Sequence, residues 1–129
     1  MTLGKKDLLL IDLSERLPYG VKCQFEDESQ LGGEKFYVDT LSTLYLHLFL
    51  TNEDFYIKPY LRPMSSMTEE EEKEYERLAN RTIVNSVGFV HFEATELLDW
   101  LKKKMFDYRG LIPKSLAVEV TKENNHYAN

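Results

Sequence analysis

The chain has 129 residues, of which 43% are hydrophobic, and this is enough for one domain with a sizeable core. A net charge of −6 disfavours non-specific nucleic-acid binding as the main role, because neutralising phosphates needs clustered Lys and Arg. Cys23 is the single cysteine, so no internal disulfide can form; there is also no recognisable signal peptide or membrane-spanning run. We therefore expect a cytoplasmic protein that makes no membrane contact.

The first predicted element is a helix from about Lys5 to Leu17, ended by Pro18 and Gly20. Its apolar spacing follows the helical period, so one stripe can pack inward. The stripe consists of Leu9, Leu13, Arg16 and Leu17.

From Tyr19 onward the apolar residues alternate, which is typical of strands. In the third alternating run the intervening residues are also apolar or aromatic, except His47, so we predict a strand covered on both faces. Polar turns separate the runs, and this favours an antiparallel meander, with an SH3-like barrel as an alternative. The four predicted strands are 21–25, 36–40, 44–50 and 55–57.

Two prolines, Pro59 and Pro63, follow the fourth run. Each lacks a backbone donor, so we expect neither a helix nor a central strand to pass through them. Thr68 and Glu71 then have the spacing of a capping box, which predicts a helix from Thr68 to about Asn80. The segment is therefore a junction between sheet and helix.

Residues 83–92 are rich in Ile, Val and Phe, which predicts a further β-prone run. Thr95 can cap a last helix that runs to about Phe106, with Gly110 as the stop. Residues 116–120 alternate and predict a final strand, and the polar tail 122–129 is expected to be flexible. Residues 1–129 are thus predicted to form one α+β domain with a small antiparallel sheet of four to six short strands and three helices.

The sequence offers little catalytic chemistry, so the interpretation leans away from an enzyme. His91 and Glu93 form an H-x-E pair, but the P-C-x-x-C half of a zinc deaminase motif is missing. Cys23 alternates with apolar residues and is interpreted as a core residue. The consecutive acidic residues 69–72 diverge around a helix and do not converge on a cation. We expect no cofactor and no metal; an enzyme with a site around His47 or His91 is the least favoured alternative.

Binding is the preferred hypothesis, with another protein as the partner. Aromatic and basic side chains near the prolines and the 107–110 turn could form the contact surface. For the proline segment itself, a rigid clasp that closes the fold is the favoured interpretation, and a recognition surface built on the same rigidity is the alternative. The candidate surface residues are Lys58, Tyr60, Arg62, Tyr108 and Arg109.

Nucleic-acid binding through a small barrel is the second hypothesis. It would use a basic face if the fold brought the cations together. Consecutive lysines splay around a helix, however, so a solvated face is favoured over a phosphate-binding one. The cations of this hypothesis are Lys58, Arg62, Lys102, Lys103, Lys104 and Arg109. The residues leave the oligomeric state open.

Three sequence motifs suggest a family. They read LPYGVK at 17–22, IKPYLRPMSSMTEEE at 57–71 and FDYRGLI at 106–112. In these motifs the chain resembles a group of small uncharacterised proteins of gut anaerobic bacteria and their phages or prophages. The resemblance covers most of the chain except about 33–54. It implies no catalytic residues and no reaction, but it implies an intracellular accessory protein carried by mobile elements.

Overall fold

The computed structural model of the protein describes residues 3–27, 36–84 and 90–128. Within these residues the chain forms four α-helices and four β-strands, so the predicted α+β class is confirmed. The helices are α1 (Leu3–Arg16), α2 (Thr43–Thr51), α3 (Glu69–Val84) and α4 (Val90–Lys103). The strands are β1 (Lys22–Asp27), β2 (Phe36–Thr40), β3 (Phe55–Leu61) and β4 (Val118–Glu119).

The four described strands form an open sheet in the order β2-β1-β3-β4. β1 pairs antiparallel with both β2 and β3, so the predicted antiparallel sense is confirmed, but a meander would not have placed β1 beside β3. β4 instead pairs parallel with β3, with Tyr60 opposite Val118, because the chain returns to the sheet only after the crossover through α3 and α4. The sheet is therefore mixed, and the SH3-like barrel alternative remains unconfirmed.

The core lies on one face of the sheet. β1 alternates as the sequence predicts, with Cys23 and Phe25 buried and their neighbours half-exposed. These side chains pack with Leu9 and Leu13 of α1 and with Phe49 of α2, so the two helices cover this face. The predicted inward stripe of α1 is confirmed, since Arg16 is also buried.

Pro59 lies inside the central strand β3, which contradicts the prediction that no central strand passes through it. It stands opposite Cys23 in the β1–β3 ladder. Just before β1, the carbonyl of Val21 accepts the Leu41 N–H. Backbone groups of a strand point alternately to its two neighbours, so the odd-numbered residues of β1 form hydrogen bonds with β2 and the even-numbered residues with β3. Because Pro59 stands opposite an odd-numbered residue of β1, the backbone nitrogen of Pro59 points away from β1, toward β4. Since β4 pairs only from Tyr60 onward, no ladder bond is lost.

The predicted third strand, 44–50, is wrong: this segment is the helix α2. A run in which nearly every residue is apolar has no period that distinguishes a strand from a buried helix. Leucine, the commonest residue of this run, is a strong helix former. Ser42 begins the helix by accepting the Tyr45 N–H at 3.4 Å. The Thr51 hydroxyl donates to the His47 carbonyl at 2.8 Å near the other end.

The capping box at the start of α3 is confirmed. The Glu71 N–H donates to the Thr68 hydroxyl at 3.1 Å, and the Thr68 N–H donates to the Glu71 carboxylate at 3.0 Å. The predicted β-prone run is wrong for residues 83–84 and 90–92, which belong to α3 and α4, while Gly88 lies outside the described residues. The cap assigned to Thr95 is also wrong, because Thr95 lies inside α4. Packing of α3 against α4, with Tyr75 and Trp100 in ring contact, outweighs the weak helix propensity of Ile, Val and Phe.

The tail, predicted to be flexible, contacts the sheet through Tyr127. The Lys22 N–H donates to the Tyr127 hydroxyl at 3.0 Å, and that hydroxyl donates to the Tyr60 carbonyl at 2.7 Å. The phenol thus bridges β1 and β3 just beyond the last ladder pair, which is Cys23 with Pro59. Burial raises the pKa of Tyr127, so the bridging hydroxyl stays protonated.

Candidate functional site

Arg62 joins three parts of the fold through its backbone. Its N–H donates to the Met105 carbonyl at 2.7 Å, and its carbonyl accepts the Asp107 N–H at 2.8 Å. Two residues after α4, Met105 adopts a left-handed backbone conformation with a φ of 63° that stops the helix. The Met105 N–H donates to the Lys102 carbonyl, and the Phe106 N–H donates to the Leu101 carbonyl. The helix thus stops well before Gly110, the predicted stop.

The Arg62 side chain ties this junction to α3. Its guanidinium donates two hydrogen bonds to the Glu71 carboxylate, at 2.8 and 2.6 Å, and stacks over the Phe106 ring at 4.2 Å. The hydrogen bonds from Arg62 hold the pKa of Glu71 down, at about 2. Glu71 therefore serves two purposes: it caps α3 and it fixes α3 against β3.

A second ionic cluster joins α1 to the turn after α4. Asp12 and Arg16 are both 0% exposed, and the Arg16 Nε lies 2.9 Å from the Asp12 carboxylate. The other Asp12 oxygen accepts a hydrogen bond from Arg109 at 2.8 Å. Arg16 also donates to the Phe106 carbonyl at 2.6 Å, so α1 is bonded to the segment that Arg62 holds.

Glu15 and Tyr108 complete this cluster. Burial alone would raise the pKa of Glu15, but the hydrogen bond and charge of Arg109 outweigh it and lower that pKa. The Tyr108 ring lies beneath both guanidinium groups, at 5.3 Å from Arg16 and 4.8 Å from Arg109. Burial raises the pKa of Tyr108 to about 12. Asp12 and Glu15 thus lie between the two arginines, and Lys102 also contacts Glu15 at 3.5 Å.

The five predicted surface residues do not form one exposed surface. Tyr60 is buried with its ring against His126, and Lys58 is half-buried on β3. Arg62 is held by Glu71 and Arg109 by Asp12, as described above. This placement supports the rigid-clasp interpretation: the Pro59–Pro63 segment, α3 and the 107–110 turn meet at Arg62.

The lysines of the nucleic-acid hypothesis are divided between two environments. Lys102 is 3.5 Å from the Glu15 carboxylate and mostly buried. Lys103 and Lys104 are exposed at the end of α4. Together with the ion pairs of Arg62 and Arg109, this engages three of the six proposed cations with carboxylates.

The outward face of α2 is the most unusual exposed surface among the described residues. Leu44 is 64% exposed and Leu50 is 55% exposed. Six residues of helix separate them by about 9 Å along the axis, and exposed His47 lies between them. We call Leu44, His47 and Leu50 the α2 outward face.

The α2 outward face continues toward β2. The inward-pointing Tyr45 stacks on Phe25 and donates its hydroxyl to the Asp39 carboxylate at 2.8 Å. The hydrogen bond to Asp39 raises the pKa of Tyr45. Tyr37 of β2, itself exposed, lies beside Tyr45 with ring centroids 6.3 Å apart. α2 is therefore fixed firmly on the sheet, and its outer leucines are held in place.

Neither the buried ionic cluster nor the α2 outward face is evident from the residues taken one at a time. Asp12 and Arg16 are four residues apart on a helix, a spacing that allows an ion pair. Leu44 and Leu50 were interpreted as a covered strand. The absence of any charged residue around them was the signal available.

Other chemistry is sparse in the described part of the chain. No group of three or more His, Cys, Asp or Glu side chains there is placed to hold a metal ion. His47 is exposed on α2, not in a covered strand, while the side chains of His91 and Glu93 lie outside the described residues. Burial raises the pKa of Cys23, which disfavours its thiolate. None of the helices described is long and apolar enough to span a membrane.

Comparison with known proteins finds no relative: no family model, no curated protein and no solved structure matches this chain. The resemblance to small proteins of gut anaerobes and their phages stays a prediction.

Proposed function

We propose that this protein acts by binding another protein, and that the α2 outward face is the contact surface. The observation that carries the proposal is the exposure of Leu44 and Leu50 on a helix that is apolar nearly all round. A helix of this composition is normally buried on every side. Here one side is covered by the sheet and the other is left for a partner.

Charge distribution supports a protein partner. The segment from Thr40 to Asn52 contains no Asp, Glu, Lys or Arg, in a chain that is 29% charged. Depletion of charge is the compositional signature of the centre of protein–protein interfaces. A partner that presents apolar side chains therefore matches the α2 outward face.

The energetics are of the right size for a modest interface. Burying a leucine side chain fully is worth about 1.5–3 kcal/mol. Leu44 and Leu50 are only partly exposed, so covering both would supply about 2–3.5 kcal/mol before the costs of association. Because Tyr45 and Phe49 already anchor α2 to the sheet and core, little ordering of the helix is needed on binding.

The biological setting of the proposal comes from the sequence motifs. The resemblance implies an accessory protein of a phage or prophage that works inside the bacterial cell. A cytoplasmic partner, encoded by the host or by the mobile element, is part of the proposal. Nucleic-acid binding through Lys58, Arg62 and their neighbours has less support, because several of those cations already bond to carboxylates.

Photo-crosslinking in the native host tests the proposal. His47 is replaced by p-benzoyl-L-phenylalanine, and exposed Glu76 on α3 carries the same residue in the control. We expect position 47 to crosslink one defined protein that position 76 does not capture. Leu44→Ser with Leu50→Ser in the same chain should abolish that crosslink.

A matched double variant controls for loss of exposed apolar area in general. Ile11→Ser with Leu98→Ser removes two exposed apolar side chains from α1 and α4, and it should leave the crosslink intact. Equal capture at positions 47 and 76 would overturn the proposal. So would a crosslinked product that consists only of two copies of this chain, confirmed by sedimentation of the purified protein.

A further inference from the structure

A cleft lies where the end of α4 meets the tail and the turn after α1. Its volume is about 410 Å³, which is within the usual range of small-molecule sites. Its lining includes three basic residues, Arg62, Lys103 and Lys104, and three other polar or aromatic residues, Tyr19, Asn125 and Tyr127. The tail that Tyr127 attaches to the sheet thus forms part of the cleft.

The residues that line the cleft carry positive charge, whereas the whole chain has a net charge of −6. Three of its lining residues are cations and none is Asp or Glu, although the chain has 22 acidic and 16 basic residues. Arg62 is neutralised by Glu71, which does not line the cleft. Neither Lys103 nor Lys104 forms a salt bridge with any residue that the structure describes. Two lysines therefore line the cleft without a bonded carboxylate, although Lys104 lies near enough to Glu71 for its charge to help lower the pKa of that carboxyl.

The polar groups around the cleft are mostly hydrogen-bond donors. Three backbone acceptors near the end of α4 are already occupied: the carbonyls of residues 101 and 102 accept helix-terminal N–H groups, and the Met105 carbonyl accepts the Arg62 N–H. The Asn125 side-chain oxygen accepts the Tyr127 N–H, so its amide NH₂ is the part left to bind a ligand. Lysine ammonium groups, this amide and the Tyr19 hydroxyl together suit an oxyanion.

We propose that this cleft binds a small, multiply charged oxyanion, such as a phosphate monoester. Two lysines match a dianion better than a monoanion, and the Tyr19 and Tyr127 rings can contact the organic part of the ligand. A nucleic acid fits less well. Arg62 lines the cleft and is bonded to Glu71, so the acidic first turn of α3 lies close to the cleft. These carboxylates would repel a long polyanion.

Titration of the full chain, followed by NMR, tests the site. Inorganic phosphate is the probe, and added chloride keeps the ionic strength constant throughout the titration. General effects of salt therefore do not contribute to the shifts of the resonances. We expect saturable shifts of the amide resonances of Lys103, Lys104 and Asn125. Lys103→Gln with Lys104→Gln should weaken binding about tenfold or more, which corresponds to about 1.4 kcal/mol. Both lysines are exposed, and an unfolding curve verifies that the variant folds.

Lys73→Gln with Lys114→Gln removes the same charge from exposed positions that do not line the cleft, and should leave the affinity unchanged. Acetate should bind more weakly than phosphate. Stronger binding of phosphate than of citrate identifies a phosphate ester, and the reverse identifies a polycarboxylate; both outcomes support the site. The inference is overturned if the two double variants bind phosphate equally, or if phosphate shifts no resonance of the cleft.

Discussion

The regions at the two ends of the inner strand β3 differ from the usual arrangement, in which charged residues are exposed and apolar residues are buried. Beyond β3, charged residues lie inside the protein: Arg62 is held by Glu71, and Asp12, Arg16 and Arg109 form a largely buried cluster. Before β3, leucines lie outside, on the α2 outward face. The charged region closes the fold, and the apolar region is left available. Hydrophobicity alone therefore does not identify the surface of this protein, because the partners of each side chain decide its position.

The largest effect is expected from the buried cluster. Asp12→Ala removes the carboxylate that both Arg16 and Arg109 contact and leaves two cations without it. We expect a loss of about 3–5 kcal/mol in the free energy of unfolding, measured in urea. Asp7→Ala, at an exposed position of the same helix, should change it by less than about 0.5 kcal/mol. Similar losses in the two variants would show that the cluster is not structural.

Acid should weaken the junction through Glu71. Its pKa is about 2 in the folded protein against an ordinary value of 4.5, so its contribution is complete above pH 4.5 and is lost as the pH falls toward 2. We expect about 2 kcal/mol of stability to disappear over this range, less than the full linkage value because the carboxylate is partly exposed. Glu71→Gln keeps a capping side chain but has no charge to titrate, and should flatten this part of the pH profile. Glu72→Gln on the same turn should not.

A double-mutant cycle measures the contact between Arg62 and Glu71 itself. With Arg62→Ala, Glu71→Ala and the combined variant, we expect a coupling energy of about 1–2 kcal/mol from urea unfolding. The two-fold hydrogen bonding and partial burial place it above an ordinary surface pair. The Glu74–Arg77 pair, exposed on α3, is the matched control and should couple by about 0.5 kcal/mol or less. Equal coupling in both pairs would contradict a clasp at Arg62.

A smaller loss is expected for Tyr127→Phe. The variant keeps the ring but removes the hydroxyl that accepts from Lys22 and donates to Tyr60. We expect a loss of about 1 kcal/mol in the free energy of unfolding. Hydrogen exchange should accelerate at the Lys22 amide. Unchanged exchange there would show that the tail does not hold the two strands together in solution.

The sequence predicted most elements whose residues have a clear local period. α1, β1, β2 and the start of α3 follow from apolar spacing and from the Thr68–Glu71 capping box. The prediction failed where local and tertiary preferences compete. The leucine run at 44–50 has no polar alternation to separate helix from strand. Pro59 is tolerated inside β3 because the pairing of β3 with β4 starts only at Tyr60.

The candidate surfaces were harder to predict for a physical reason. Arg62 and Arg109 are typical surface residues when considered alone, and only the fold brings Glu71 and Asp12 to them. The exposure of Leu44 likewise depends on which side of α2 the sheet occupies. Contacts between residues that are distant in sequence are not encoded in any local period, so the sequence could suggest a clasp without naming its partners.

The reversal of charge and apolar surface is tested most directly by comparing two variants under one set of conditions: Arg62→Ala, and Leu44→Ser with Leu50→Ser. Urea unfolding should show that the single loss of a charged side chain costs about 2 kcal/mol or more. The loss of two leucines should cost less than about 1 kcal/mol, because both are largely exposed and each substitution mainly lowers helix propensity. The opposite order, with the leucine variant destabilised and Arg62→Ala unaffected, would contradict the account of both regions.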